Sequence, residues 1–291
     1  MPPERVDKMA TETTKTSAIA WRPDVSTFAA SDVIPDAIIL QASNVSGSIE
    51  GDAPAVRVAY VDDASAQFTA EADTIPEANP TLNETLVYTG KITQLIRLSN
   101  EQYRQPGTSG ELSNSVRRAV IRKANEAFLA QVAPTAPAVT PPAGVLNIAG
   151  IETGGAIADS LDGLVDLIAE LEANGSNPSH IILDPIGWAS LRKFKTTSGA
   201  ATSLLGAGTT DAQRMLLDLP VLVSPAMSAG TGLVIDRSAI PSAVGPVTVA
   251  TSEHLYFNSD SIALRATWRI GWNIVRPDRI GKFTVTAPSS E

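Results

Sequence analysis

The sequence contains no cysteine and only two histidines, and it is poor in aromatic and charged residues. Without cysteine there is no disulfide framework, no thiolate metal site and no thiol catalysis. Of the 291 residues, 5% are aromatic and 18% are charged, against roughly 25% charged in an average soluble protein. This small charge inventory predicts that other protein covers much of the surface.

Long apolar runs and basic clusters are also missing. No run approaches the roughly 20 apolar residues of a membrane span, and the first twenty residues mix acids and bases without an apolar stretch. We therefore expect a soluble protein made inside a cell, with no membrane partner. The formal net charge of −9 argues against a general nucleic-acid binder. It leaves open a shell whose acidic inner wall faces packaged nucleic acid.

Motifs of known catalytic and nucleotide-binding sites are absent. His180 and His254 have no partner at metal-ligand spacing, and His180 enters an apolar strand, which favours a structural role. The sequence has no Walker A motif, no G-x-G-x-x-G and no G-x-S-x-G. A Ser/His/Asp triad stays open at this point because its members meet only in space. We predict no catalytic, cofactor or metal site and no enzyme activity.

Residues 261–275 alternate apolar and polar side chains almost without a break. Apolar residues hold the even positions, and the odd ones include Arg265 and Arg269. Because successive side chains of a strand point to opposite faces, one apolar and one cationic face are predicted. At roughly 3.3 Å per residue this ribbon would reach about 50 Å, which suits a protein that tiles a surface. For the two arginines, ion pairs at a subunit contact are favoured over phosphate binding.

A long hairpin is predicted from strands at 56–61 and 85–98. Its second strand has an apolar face formed by Leu86, Tyr88, Ile92, Ile96 and Leu98. The connection is too long for an ordinary hairpin loop, and no lysine or arginine occurs from 62 to 89. Its acidic residues are Asp62, Asp63, Glu71, Asp73, Glu77 and Glu84. An acidic flap that is ordered by a neighbouring subunit is favoured over a cation site.

A long amphipathic helix is predicted over 109–131, opened by a capping box of Thr108 and Glu111. Its apolar stripe comprises Leu112, Val116, Val120, Ala124, Ala127 and Phe128. Its other side carries Arg117, Arg118, Arg122 and Lys123. Residues 132–145 read as a crossover. Residues 1–50 read as an irregular arm whose apolar patches, one of which ends at Trp21, must pack on the body or on a neighbour.

The second half alternates helical and strand patterns. Ser160 is predicted to cap a helix that stops at Gly175, and Asp184-Pro185 to start another helix over 186–194. The remaining predicted elements are a loop at 195–210, a short helix at 210–217 and strands at 180–183, 221–224, 232–235, 247–251 and 280–286. This order predicts an α+β fold.

Three motifs then occur in the order that one family shows. Residues 182–192 (ILDPIGWASLR) have a strand, an Asx-Pro and a W-x-x-L-R helix, and residues 216–225 (LLDLPVLVSP) are similar to LLG-x-PV-x-x-S. Residues 257–278 run from FNSD through Arg265 and Arg269 to Arg-Pro-Asp. Over about residues 20–288, the chain resembles the major capsid protein of tailed double-stranded-DNA bacteriophages, the Hong Kong ninety-seven-like fold.

The resemblance implies a phage major-capsid fold with an N-terminal arm, an extended β-hairpin loop, a peripheral domain with a long spine helix and β-ribbon, and a mixed α/β axial domain. The corresponding residues are 1–50 (arm), 51–98 (extended loop), 99–145 (peripheral domain with spine helix 109–131), 146–255 (axial domain), 256–278 (peripheral ribbon) and 279–291 (return strand and C-terminus).

The implied function is structural. The chain would self-assemble through pentamers and hexamers into an icosahedral shell that encloses double-stranded viral DNA without sequence-specific binding. The implied location is the virion capsid, assembled in the bacterial host cytoplasm. The implied partners are further copies of the chain, a separate scaffolding protein, a portal and a decoration protein. No cofactor is implied.

Two departures from the family pattern carry expectations. Members that cross-link use a lysine on the extended loop, whereas residues 62–90 contain none and Lys91 lies back on the strand, so we expect no autocatalytic cross-linking. Residues 1–50 also lack the charged helical repeat of a fused scaffolding segment. We therefore expect either a separate scaffolding protein or a chain that is already trimmed.

Two alternatives remain at this stage. One is an encapsulin-type compartment that encloses cargo enzymes, and the other is an unrelated α/β enzyme or binding protein. In the capsid interpretation, the acidic flap docks on cations of a neighbour. The candidate inter-subunit contacts are Asp62, Asp63, Glu71, Asp73, Glu77, Arg117, Arg118, Arg122, Lys123, Arg265, Arg269 and Trp21.

Overall fold

The computed structural model describes residues 25–49, 53–62, 68–69, 77, 81–105, 108–195, 203, 205 and 214–286. Within them the strands are β1 (Val25–Phe28), β2 (Asn44–Ser48), β3 (Ala55–Asp62), β4 (Thr81–Ser99), β5 (Glu152–Ile157), β6 (His180–Leu183), β7 (Met215–Leu216), β8 (Leu219–Val223), β9 (Thr231–Ile235), β10 (Pro241–Val244), β11 (Val247–Tyr256), β12 (Ser261–Trp272) and β13 (Gly281–Val285). The α-helices are α1 (Ala30–Val33), α2 (Ile38–Ala42), α3 (Asn100–Tyr103), α4 (Thr108–Ala130), α5 (Asp162–Ala173) and α6 (Pro185–Lys193).

Strand β12, the predicted ribbon, is central in a seven-stranded sheet. Along one edge it pairs antiparallel with β4, from Ser261 opposite Ser99 to Gly271 opposite Thr89. Along the other edge it pairs first with β11 and then with β10, and these are flanked by β1 and β2. Among the described strands, β3 pairs with β4 alone. β12 is therefore hydrogen-bonded to strands on both of its edges.

Helix α4 covers the even face of β12, as the two sequence patterns predicted. Trp268, Ile270 and Trp272 are buried in one cluster with the helix stripe that includes Val120 and Phe128. The rings of Phe128 and Trp272 meet edge to face, with centroids 5.5 Å apart. Burial of each such side chain stabilises the fold by roughly 1.5–3 kcal/mol. This contact joins the helix to the ribbon.

The second sheet has six strands in the order β5-β13-β9-β6-β8-β7. Helices α5 and α6 pack on one face, where Ile181, Leu183 and Val234 share a cluster with Leu167 and Leu191. The alternate residues Ile182, Leu233 and Ile235 point the other way and join the cluster of α4 and β12. Both faces of the two central strands are therefore buried.

Asp184 links three segments at the end of β6. One carboxylate oxygen accepts from the amides of Gly187 (2.9 Å) and Gly230 (3.0 Å), and the other accepts from Ile186 (2.9 Å). The N-cap and first-turn proline predicted for α6 are both present. The bond from Gly230 ties α6 to the loop before β9.

Several predicted elements differ in the structure. The ribbon ends at Trp272, three residues earlier than predicted, and the side chain of Asn273 then accepts from the amide of Ile274 (2.8 Å). Helix α5 begins after Leu161, with no side-chain cap, so the prediction of Ser160 as cap is wrong. Its stop at Gly175, where φ is 76°, is confirmed.

The short helix predicted over 210–217 is wrong within the described residues. Met215–Leu216 is strand β7, and Leu217 and Asp218 turn the chain back into β8 with φ of 50° and 63°. Asp218 stands where the LLG pattern has glycine. Aspartate is among the residues that tolerate this left-handed region best, which explains how the turn forms without glycine.

The single apolar face predicted for 86–98 holds only in the half of β4 that lies under α4. Ile92 and Ile96 pack against the core, whereas Leu86 is exposed and Val87 is buried instead. The cause is a change of pairing partner, because Thr89–Ser99 of β4 pair with β12 whereas Thr81–Tyr88 pair with β3.

The arm is regular where it is described, contrary to prediction. β1 and β2 extend the first sheet, and α2 buries Ile38 and Ile39 against α4. The side-chain oxygen of Asn125 on α4 accepts from the amide of Ile38 at 2.9 Å. The apolar patch at 37–40 therefore packs on the chain's own body, and Trp21 lies outside the described residues.

Sheet membership bears on the proposed domain boundaries. β10 and β11, within the range assigned to the axial domain, pair with β12 in the seven-stranded sheet. β5 to β9, within that range, and β13 form the six-stranded sheet. The change from one sheet to the other thus falls between β9 and β10.

Candidate assembly surfaces

The β3–β4 hairpin extends beyond the cover of α4. Its strands pair from Ala55 opposite Tyr88 to Asp62 opposite Thr81. An exposed ion pair joins Arg57 to Glu84 across the strands at 2.9 Å. Leu82 has 81% of its surface exposed, and Val61 is also exposed. A strand with apolar side chains in solvent at its far end is suited to a contact with another protein.

Only part of the acidic tip falls within the described residues. Asp62 closes the paired part of the hairpin, and Glu77 is exposed. Asp63, Glu71 and Asp73 lie outside the described residues. Their roles as subunit contacts therefore stay predictions.

The four predicted cations of α4 divide into two kinds. Arg117 pairs with Asp36 at 3.2 Å, and Lys123 pairs with Glu126 at 3.7 Å. Arg118 and Arg122 are exposed, lie one turn apart and form no ion pair with any residue that the structure describes. We call these two residues the cationic pair.

The two ribbon arginines also differ. Both lie on the face of the sheet opposite α4, as predicted, and Arg265 is exposed there opposite Leu95 of β4. Arg269 is partly buried, and its Nη1 donates to Thr89 Oγ1 at 2.9 Å and to the Thr89 carbonyl at 3.3 Å. Arg265 is thus available to a partner, while Arg269 bonds within its own chain.

The turn between β11 and β12 exposes a second apolar surface. Leu255 and Phe257 are exposed, and Phe257 has 83% of its surface in solvent. Arg97 of β4 lies over the ring of Tyr256, 4.7 Å from its centroid. The sequence analysis used Phe257 only as part of the FNSD motif and predicted no exposed surface here, although two large apolar residues beside Asn258-Ser259-Asp260 were a usable signal.

The described residues show no arrangement typical of a metal site. No group of three or more His, Asp or Glu side chains there could hold a metal ion. The Nδ1 of His180 lies 3.1 Å from Ser179 Oγ, and burial together with the nearby Arg237 lowers the pKa of the His180 ring below its usual value. No helix among these residues is both long and apolar enough to cross a membrane.

Comparison with known proteins decides the family. A family model described as the phage capsid family matches residues 34–285, most of the chain. The chain belongs to the phage capsid family. This capsid protein is therefore a structural component of a phage shell, and the family match does not favour the encapsulin alternative. No curated protein matches the sequence.

Solved structures share the fold of this capsid protein over nearly its whole length. The capsid of an empty GTA particle, computed with C5 symmetry, superposes with a TM-score of 0.64 at 16% identity, covering 96% of each chain. The match to Gordonia phage Cozz has a TM-score of 0.64 at 16% identity and covers 95% of this chain and 92% of the other. The match to Microbacterium phage Oxtober96 has a TM-score of 0.63 at 15% identity and covers 96% of each chain. The predicted major-capsid fold is confirmed.

Proposed function

We propose that this capsid protein assembles through pentamers and hexamers into an icosahedral shell that encloses double-stranded viral DNA. It acts in the virion, is assembled in the host cytoplasm and catalyses no reaction. The observation that carries the proposal is the β3–β4 hairpin, which exposes apolar side chains beyond the cover of its own core. A separate scaffolding protein, a portal and a decoration protein belong to the same proposal.

The domain roles follow the two sheets. The seven-stranded sheet with α4 forms the peripheral domain, the β3–β4 hairpin its extended loop, and the six-stranded sheet the axial domain around the symmetry centres. Each contact between copies is weak, and a closed shell gains stability from their number.

Electron microscopy of the expressed full chain tests the proposal. In negative stain we expect discrete hollow particles of uniform diameter, alone or on co-expression with the scaffolding protein. A stable monomer under all assembly conditions would contradict it. Purified particles that hold cargo enzyme in place of nucleic acid would show the compartment function instead.

We propose that the acidic flap of one copy contacts the cationic pair of another. Arg118 and Arg122 are the best candidates among the helix cations, because Arg117 and Lys123 already pair within the chain. An exposed ion pair is worth about 0–1 kcal/mol, so its effect comes from repetition across the shell. Trp21, Glu77 and Arg265 remain candidates for other contacts between copies.

Reversing the charge of the cationic pair tests this contact. We expect Arg118→Glu with Arg122→Glu to lower the yield of assembled particles and to weaken the dependence of that yield on salt, since surface ion pairs are screened. Adding Glu71→Lys and Asp73→Lys to the same chain should restore particles. The control is Arg192→Glu with Lys193→Glu on α6, which changes the net charge equally. An unchanged yield and salt dependence in the first variant would refute the contact.

A further inference from the structure

The base of the hairpin is a junction at which β4 changes partner. Residues Thr89–Ser99 of the strand pair with β12, and residues Thr81–Tyr88 pair with β3. A strand that changes partner in mid-course has a place at which its outer half could pivot. The direction of the hairpin therefore depends on what fixes Thr89.

Hydrogen bonds of the Thr89 hydroxyl and amide, together with the bond that its carbonyl accepts from Arg269, fix this junction. Its hydroxyl donates to the carbonyl of Ala53 at 2.6 Å and accepts from Arg269 at 2.9 Å, and its amide donates to the carbonyl of Pro54 at 2.9 Å. Thr89 is 3% exposed, so water does not compete for these groups. One guanidinium therefore holds the strand that enters the hairpin and the strand that leaves it, since Nη1 also lies 3.5 Å from the Ala53 carbonyl.

Close backbone contact and packing surround these bonds. A Cβ at Gly271 would collide with the carbonyl oxygen of Tyr88, so only glycine lets β12 approach β4 this closely. Val58 and Val87 of the hairpin pack with Ile49 and Ala243 in a small buried cluster. At the junction, β12 and β4 therefore lie very close together, and the hairpin packs on a small apolar cluster.

The segment after β12 supplies a second attachment further along the hairpin. Asn273 Nδ2 donates to Thr85 Oγ1 at 2.8 Å and to the carbonyl of Leu86 at 3.2 Å. Arg276 Nη2 donates to the carbonyl of Val61 at 3.2 Å. Two separate attachments fix a direction, whereas one would leave a hinge.

We propose that Arg269 and Thr89 are positioning residues that fix the direction of the hairpin for contact with a neighbouring copy. Arg269 acts inside its own chain and not as a contact between chains, and we call its hydrogen bonds to Thr89 the strut. A hairpin already held in its bound direction loses less conformational freedom on docking, which lowers the entropic cost of each contact. A hairpin held in one direction also limits the contacts that neighbouring copies can form, which favours shells of one diameter. This last consequence rests on the proposed function, whereas the strut itself does not.

Matched substitutions at Thr89 separate the hydroxyl from the shape of the side chain. Thr89→Val keeps the branched shape and removes both hydroxyl bonds, while Thr89→Ser keeps the hydroxyl. Arg269→Met removes the guanidinium but keeps a long apolar stem. Hydrogen exchange on full-length protein dissociated from shells then reports on the strut, and the diameter distribution of particles in electron microscopy reports on its use.

We expect Thr89→Val and Arg269→Met to speed amide exchange in residues 55–62 and 82–88 by about tenfold, equivalent to ~1.4 kcal/mol. Exchange in β6 and β9 should stay unchanged, and Thr89→Ser should match the parent chain. Thr89→Val and Arg269→Met should both give particles of mixed diameter.

Two results would overturn the proposal. One is unchanged hairpin exchange in Thr89→Val and Arg269→Met, and the other is faster exchange spread equally over both sheets, which would indicate a general loss of stability. If the parent chain forms no particles, the proposed function fails, but the exchange measurement still decides whether the strut exists.

Discussion

Replacing Trp272 with alanine is expected to lower the free energy of unfolding by about 3–5 kcal/mol, the range found for large aromatic residues in cores. Trp272 is 3% exposed, packs edge to face on Phe128 of α4 and donates from Nε1 to the carbonyl of Ala143 at 2.7 Å. It thereby holds β12, α4 and the crossover after α4 in one place. We expect a fall in soluble yield and in the melting temperature measured by scanning fluorimetry.

Two controls define the origin of this effect. Trp272→Phe keeps most of the apolar area but leaves the Ala143 carbonyl without its donor, so we expect a loss of about 1–3 kcal/mol. Leu95→Ala on the open face of the same sheet should change stability by about 0.5 kcal/mol or less, since Leu95 is largely exposed. A Trp272→Ala protein as stable as Leu95→Ala would show that the contact of helix and ribbon does not support the fold.

Replacing Asp184 with alanine is expected to be the most damaging change in the six-stranded sheet. The carboxylate is 2% exposed and accepts from three backbone amides, at the start of α6 and in the loop before β9. Hydrogen bonds to charged groups are worth about 1.5–3 kcal/mol each, and the amide of Gly187 is left without this acceptor in a buried position. We expect a loss of at least about 3 kcal/mol, measured as a lower melting temperature.

The matched variants at this site are Asp184→Asn and Asp166→Ala. Asparagine keeps one acceptor oxygen but places an amino group against a backbone N–H, so it should fall between aspartate and alanine. Asp166 is an exposed carboxylate on α5, and its removal should have little effect. Equal stability of Asp184→Ala and Asp166→Ala would contradict the role assigned to the buried carboxylate.

Local sequence patterns correctly predicted β12, α4 and the start of α6, which are specified by residues close together in the sequence. The strict alternation around Trp268 and the stripe around Val120 specified the faces of β12 and α4 because the periods 2 and 3.6 are properties of the strand and helix themselves. The N-cap at Asp184 followed from its neighbour Pro185 in the same way. Its third bond, to Gly230, is not local and was not foreseen.

The junction at the base of the hairpin illustrates what the sequence could not specify. Thr89, Ala53 and Arg269 meet only because β4 changes partner, and the Thr89–Arg269 pair is separated by 180 positions along the chain. The signal present was a glycine inside an alternating strand pattern, at Gly271, which often marks close backbone approach. The helix predicted at 210–217 failed because a short apolar run does not distinguish helix from strand.

The continuity of β4 also has a mechanical consequence. A load that pulls on the hairpin along its length passes into the part of β4 that runs antiparallel beside β12, from Thr89 to Ser99. Such a load acts in shear, so the bonds of this whole ladder resist it together and do not open one after another. A shell loaded in this way would yield first at the weaker contacts between copies and only later at this ladder.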